Sequence, residues 1–448
     1  MKNPIRKITV AGMTAFAIQL ASGAVPEVTG VAMSQASDRL VTISYTLSDA
    51  PAVVTLDVQT NNAQGAWASI GGAAVCNAQG DVWKKVETGS RTITWHPDLS
   101  WPDHKIADGG ARAVVTAWTL DNTPDYMVVD ISASAQPNTQ KYYPSVEFLP
   151  GGILGNTDYR TTSIVMRKIM AKDIEWTMGS TTLETNNRKD REATHKVTLT
   201  NNYYIGVFPV TQSQWALIQT SRPTPSFYQN VAYMAMRPVE QVSYNEIRNA
   251  ANDTAENTAY DWPHDPNPGS FLGLLRTKTG IDFDLPGEAQ WEFAARAGNG
   301  DTKWGDGSAI LNSNVDANLN LYGRYYANGG KPGSTDPDAS CSADNATAIV
   351  GTYKPNSWGL YDTAGNVWEW CLDWREDNIT SYNGRININP ADPTKTISGA
   401  TGSTRIGRGG TWNGASGYSR PAYRDSDNPS IRTLKVYGFR VVCTAGLK

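Results

Sequence analysis

The chain has 448 residues, of which 18% are charged and 40% hydrophobic, and its net charge is −4. That length suits two or three domains, and that composition excludes a disordered or fibrous chain. Without a basic excess there is no electrostatic case for nucleic acid as a partner.

Residues 1–24 read as a secretory signal. Lys2, Arg6 and Lys7 form a basic start, Ile8 to Leu20 is largely apolar, and Ser22-Gly23-Ala24 offers small residues for cleavage. The bland alternative is a short anchoring helix. The apolar run is short for a span and contains Thr9, Thr14 and Gln19, and no other run is long and apolar enough to cross a bilayer. The expectation is a secreted or periplasmic protein with no membrane span after cleavage.

Residues 25–134 show period-2 patterning. Val41, Ile43, Tyr45 and Leu47 alternate with polar residues, and Val54, Leu56 and Val58 follow after Pro51. Ile93, Trp95, the run 113–118 and Tyr126 to Val129 continue the pattern. Short strands between turn residues predict a β-sandwich module. It holds no cluster of acid, base and nucleophile, so a spacer or adhesion-type role is expected. Residues 135–150, with Pro137, Pro144 and Pro150, read as a linker.

Residues 151–448 read as one large domain with few helices. One helix is expected over Pro286 to Arg296, with Trp291, Ala294 and Ala295 inward. A second starts near Thr211, and a third covers Ser243 to Asn252. Long Gly/Asn/Asp-rich loops lie at 298–320 and 328–347; loops of that length are functional or held by ions or side chains.

An ordered set of motifs runs through this domain. Trp176-Thr177-Met178-Gly179-Ser180 is followed by His195 to Leu199, Tyr203 to Gly206, and Val210 to Trp215. Gly359 to Trp370, Arg408-Gly409-Gly410 and Gly438-Phe439-Arg440 complete it. This order resembles the formylglycine-generating enzyme (sulfatase-modifying factor) family. The resemblance implies an irregular α+β fold of the C-type-lectin kind for this domain, and with the β-sandwich expected before it the whole chain reads as α+β. Arg296, Arg408 and Arg440 are expected to staple loops through carboxylates or carbonyls.

Asp362, Gly365, Val367 and Glu369 can aim two carboxylates and two carbonyls at one point, a hard-oxygen set suited to Ca²⁺. The resembled family holds a structural calcium with this segment. The other reading of Glu369 is a salt bridge to a core arginine. The resemblance also points to Asn328 and Asp344 for a second calcium, in a loop of different length.

In the resembled enzymes two cysteines, five residues apart, follow the Arg-Gly-Gly segment and bind copper as thiolates. Here those positions are Gly414 and Ser419. A glycine and a hard hydroxyl cannot serve a soft Cu(I) site, so no copper and no formylglycine-generating oxidase activity are expected. Ser419 has no partner in the sequence and reads as turn chemistry rather than a nucleophile. Related sulfoxide synthases use iron on histidines, but His96, His104, His195 and His264 are scattered.

What remains is a recognition surface. Trp412, Asn413, Ser416, Tyr418, Arg420, Tyr423 and Arg424 are residue types of binding surfaces, and the resemblance sets them by a ligand groove for a peptide, glycan or protein. The alternative for the arginines is that they brace loops. An enzyme of the same family with a divergent chemistry is the second reading, and a purely structural surface module the third. Of Cys76, Cys341, Cys371 and Cys443, the last two are expected either as a disulfide or as two buried thiols.

Overall fold

The computed structural model describes residues 24–36, 39–61, 64–106, 109–180, 192–229, 234–249, 260, 264–329, 346–375 and 404–446. The signal segment, Cys341 and Asp344 lie outside the described residues. The described residues are mostly sheet with few helices, an α+β mixture.

Two antiparallel sheets form from the N-terminal strands. The first is ordered β1 (Glu27–Gln35), β2 (Val41–Ser48), β7 (Gly89–Trp95), β5 (Gln79–Gly80). The second is ordered β4 (Trp67–Ser69), β3 (Ala52–Asn61), β6 (Lys84–Val86), with β8 (Ala111–Trp118) also paired to β3. Two one-turn helices, α1 (Gly72–Val75) and α2 (Pro97–Ser100), interrupt them. The alternation in β2 is realised: Val41, Ile43, Tyr45 and Leu47 are all buried.

The third sheet crosses the expected domain boundary. Its order is β10 (Lys141–Tyr143), β9 (Tyr126–Asp130), β11 (Ser163–Ile169), β14 (Tyr203–Gly206), β19 (Val442–Thr444). Sequence patterning groups Tyr126 to Val129 with the first module, yet this strand pairs with β11 over five residues. The segment expected as a linker supplies β10. The reason is that β9 is apolar on both faces. Met127 and Val129 enter one core, and Tyr126 enters another shared with Ile43, Val54, Phe208 and Tyr361. A strand apolar on both faces belongs in the middle of a covered sheet.

The ribbon β12 (Ile174–Met178) and β13 (His195–Leu199) stands apart. The fourth sheet is ordered β17 (Asp425–Asp427), β16 (Arg405–Arg408), β15 (Trp368–Trp374), β18 (Tyr437–Gly438). It joins the Trp-Glu-Trp segment to the Arg-Gly-Gly segment, with Glu369 opposite Arg408.

Helix α3 (Gln212–Ile218) begins at Thr211, whose hydroxyl accepts from Gln214 N while the Gln214 side chain accepts from Thr211 N. This reciprocal cap fixes the expected start. Helix α4 (Phe271–Thr279), which patterning missed, is capped by Ser270 and ends on left-handed Gly280. Helix α5 (Glu288–Arg296) lies where expected, but all nine residues are buried. Helix α6 (Leu319–Tyr322) is one turn. The third expected helix is a π-helical turn over Asn245–Asn249; residues 250–252 lie outside the described residues.

Cys371 and Cys443 are not bridged. Both are free and buried, in different clusters: Cys371 packs with Trp291 and Ile406, Cys443 with the main core. Burial pushes both thiols up, which leaves them inert.

Candidate functional site

The segment 405–424 begins as β16 and turns sharply at Gly409 and Gly410. Gly410 has φ of +81°, and a Cβ there would lie 2.7 Å from Ser419 Cα. Only glycine permits that approach. The chain then winds through Thr411 to Ser419 against the loop 311–319. Ser416 Oγ donates to Asn312 O at 2.7 Å, and Gly417 N donates to Ser313 O at 2.8 Å. Asp316 shapes that loop, its carboxylate accepting from the backbone N–H groups of Leu311, Asn312, Asn318 and Leu319.

The side chains expected to line an open groove are mostly core. Trp412 is 2% exposed, donates from Nε1 to Lys435 O and meets Tyr228 edge-on. Ser416 and Tyr423 are buried, and Tyr423 stacks on Trp368. Arg420 and Arg424 are buried on carboxylates of Glu192 and Glu288. Asn413 is half-buried. Tyr418, 37% exposed, is the one of the seven that stands at the surface. The loop-bracing reading of the arginines is the one the structure shows.

Those arginines belong to a buried network on α5. Glu292 accepts from Arg296 at 2.8 Å and pairs with Arg408, while Glu288 takes Arg424 at 2.6 and 2.8 Å. Burial alone would raise Glu288, but Arg424 and Arg408 outweigh it and hold the carboxyl below its ordinary value. Glu292 is lowered in the same way by Arg296 and Arg408. Sequence reading placed Glu288 only against the helix dipole and did not link either glutamate to its arginines. The signal is their i, i+4 spacing on a helix that also carries the apolar Trp291, Phe293, Ala294 and Ala295.

The turn 362–369 has positive φ at Asp362, Gly365 and Asn366. Glu369 is fully buried, and Arg440 holds it bidentately at 2.5 and 2.6 Å. Trp291 Nε1 donates to Glu369 at 2.6 Å. Asp362 accepts from Gly351 N and Asn366 Nδ2, and burial pushes its carboxyl up to about 6. Arg440 also donates to the Asp362 backbone carbonyl, and its charge opposes the burial that raises the Asp362 carboxyl. Asn328 is engaged locally: Oδ1 accepts from Tyr325 N and Nδ2 donates to Gly323 O.

At the positions of the family cysteines, Ser419 is fully buried, and its Oγ has no hydrogen-bond partner among the described residues. A Cβ at Gly414 would lie 3.2 Å from both Thr411 and Tyr418 side-chain carbons. Among the described residues no group of three or more His, Cys, Asp or Glu is gathered to hold a metal ion. No helix of the described residues is long and apolar enough to cross a membrane.

Residues 165–445 match the family described as sulfatase-modifying factor enzyme 1-like domain. The formylglycine-generating enzyme of Streptomyces coelicolor is 34% identical over 168 residues, which are 36% of this chain and 47% of that one. The serine/threonine-protein kinase pkn1 of Chlamydia pneumoniae is 26% identical over 285 residues, 62% of this chain and 38% of that one. The chain thus spans less than half the length of these curated relatives. Treponema denticola variable protein 1 is similar in structure, with a TM-score of 0.45 and 25% identity over 63% of this chain and 96% of that chain. The matched span contains the paired Trp-Glu-Trp and Arg-Gly-Gly strands and the Arg440 that closes on Glu369, and the chain belongs to the sulfatase-modifying factor enzyme 1-like family.

Proposed function

We propose that the chain is an exported sulfatase-modifying-factor-like protein that binds a peptide, glycan or protein partner and performs no copper-dependent cysteine oxidation. The observation that carries this reading is the pair Gly414 and Ser419. Soft Cu(I) needs thiolate sulfur, and these positions offer a hydrogen atom and a buried hydroxyl. Among the described residues, Ser419 has no hydrogen-bonded base to activate it as a nucleophile instead. The acids of this region are engaged by arginines, which suits a rigid scaffold better than proton transfer.

The same reading takes residues 1–24 as an export signal, and a secreted or periplasmic location follows. It takes the two N-terminal sheets as a sandwich-type spacer for a lectin-like domain. It adds a structural calcium at the turn 362–369. Asp362 and Glu369 together exceed the charge of Arg440, and an all-oxygen donor set suits a hard cation.

The test is incubation of the copper-treated protein with a Cys-x-Pro-x-Arg peptide, followed by mass spectrometry. The expected result is unchanged peptide. Appearance of the aldehyde overturns the proposal.

A further inference from the structure

A cleft of about 380 Å³ lies between the ribbon β12–β13 and the C-terminal end of α5. That volume is in the range of small-ligand sites. Its floor is aromatic. Trp176, half-buried, and Phe293 line it, with ring centroids 5.3 Å apart. Helix α5 leaves sharply through left-handed Ala297 and Gly298, and a Cβ on Gly300 would meet nothing within 4 Å.

Arg296 lines this cleft although only 6% of it is exposed. Glu292 Oε1 fixes its Nε and Nη2 at 2.8 and 2.7 Å, and Gly179 O takes Nη2 at 2.6 Å. Nη1 has no hydrogen-bond partner among the described residues, so a clamped guanidinium presents one open N–H edge to the cleft. Asn299, on the rim, has both Nδ2 bonds committed to Arg296 O and Gly305 O, which leaves Oδ1 as an acceptor.

We infer that this cleft binds a neutral pyranose sugar. A pyranose has hydroxyls that both accept and donate, and a C–H face that packs on an aromatic ring. That pattern matches a fixed donor, a fixed acceptor and an open ring face. An anionic ligand fits less well, because Arg296 has only one nitrogen uncommitted, too little for the two-nitrogen fork by which arginine grips a carboxylate or phosphate. An apolar ligand would bury the Arg296 N–H edge unpaired, at the cost of its desolvation. The inference rests on the reading of the chain as a binding protein, and names its ligand class.

The test titrates the full chain with methyl glycosides of glucose, galactose and mannose and with N-acetylglucosamine, read by tryptophan fluorescence and saturation-transfer NMR. Saturable binding of at least one sugar is expected. Trp176→Leu weakens it about tenfold or more by removing the stacking face. Gly300→Phe fills the cleft from an open surface position and abolishes binding with the melting temperature unchanged. No saturable binding of any of the four sugars overturns the inference, as does binding that survives in both variants or goes to a mixed peptide pool instead. The aldehyde assay reports separately: a positive result there removes the non-oxidase proposal and leaves the sugar titration standing.

Discussion

Arg420 and Glu192 are 228 residues apart in the chain and form a buried bidentate pair, at 3.0 and 3.3 Å. Their side chains are 3% and 0% exposed. The pair ties the Gly-rich segment behind β16 to the start of β13, and it removes Arg420 from any ligand-facing role. Arg420→Ala removes the bidentate half of a buried ion pair with Glu192, which costs about 3–5 kcal/mol. Arg420→Met combined with Glu192→Leu recovers most of that loss. Urea unfolding of the single and double variants measures both. A single variant as stable as wild type would show the pair to be dispensable.

The β2 alternation, the Thr211 cap and α5 were legible because each is a local pattern of apolar spacing or capping. The destination of β9 was not. Its apolar residues on both faces read equally well as one more strand of the first module, and pairing with β11 is a long-range choice. At the site only residue identity was legible: Gly414 and Ser419, rather than cysteines, follow the Arg-Gly-Gly segment. The fate of Arg420, Arg424 and Trp412 was not legible, since aromatic and arginine residues serve binding surfaces and cores alike. What decides for the arginines is Glu192 and Glu288, and for Trp412 it is Tyr228 and the Lys435 carbonyl; nothing local in the sequence links these partners.

The shared core makes the chain one cooperative unit. Ile43 and Val54 of the first sheets pack in the same cluster as Val207, Phe208 and Tyr361. Calorimetry of the full chain is expected to show one unfolding transition. A chain starting at residue 151 lacks β9 and β10 and exposes the edge of β11, so it aggregates or shows no cooperative melt. Two well-separated transitions, or a stable fragment from 151, would mean that the boundary lies where composition suggests.

Glu240 gives a pH signature. It is fully buried; Oε1 accepts from Tyr228 N at 3.0 Å, and Oε2 has no hydrogen-bond partner among the described residues. Burial pushes its carboxyl up to about 7, against the opposing pull of the Tyr228 and Phe227 N–H groups and of Lys435. The folded chain then holds this proton to higher pH than the unfolded chain. Stability contributed by the neutral acid is present at low pH and is lost as pH rises through the window from about 4.5 to 7, by up to about 3 kcal/mol. Glu288 and Glu292 shift the other way, and their contribution is lost only as pH falls below the ordinary carboxylate range. Glu240→Gln keeps an acceptor for Tyr228 N without titrating. It is expected to match wild type at pH 5 and exceed it at pH 8. Equal pH slopes for the two proteins would refute the assignment.

Calcium at the turn 362–369 is tested through Asp362, because Glu369 has a second duty. Glu369 variants also strip Arg440 of its partner, so their loss of stability does not report on a cation. Asp362→Asn keeps the shape and the acceptor for Gly351 N but removes one of the two buried charges. If the ion is bound, wild type melts lower in chelator than in calcium, by about 2.7 kcal/mol of stability at a hundredfold excess over Kd. Asp362→Asn melts alike in both conditions. A wild type indifferent to chelator would overturn the calcium assignment and leave Arg440 as the cation that Glu369 pairs with.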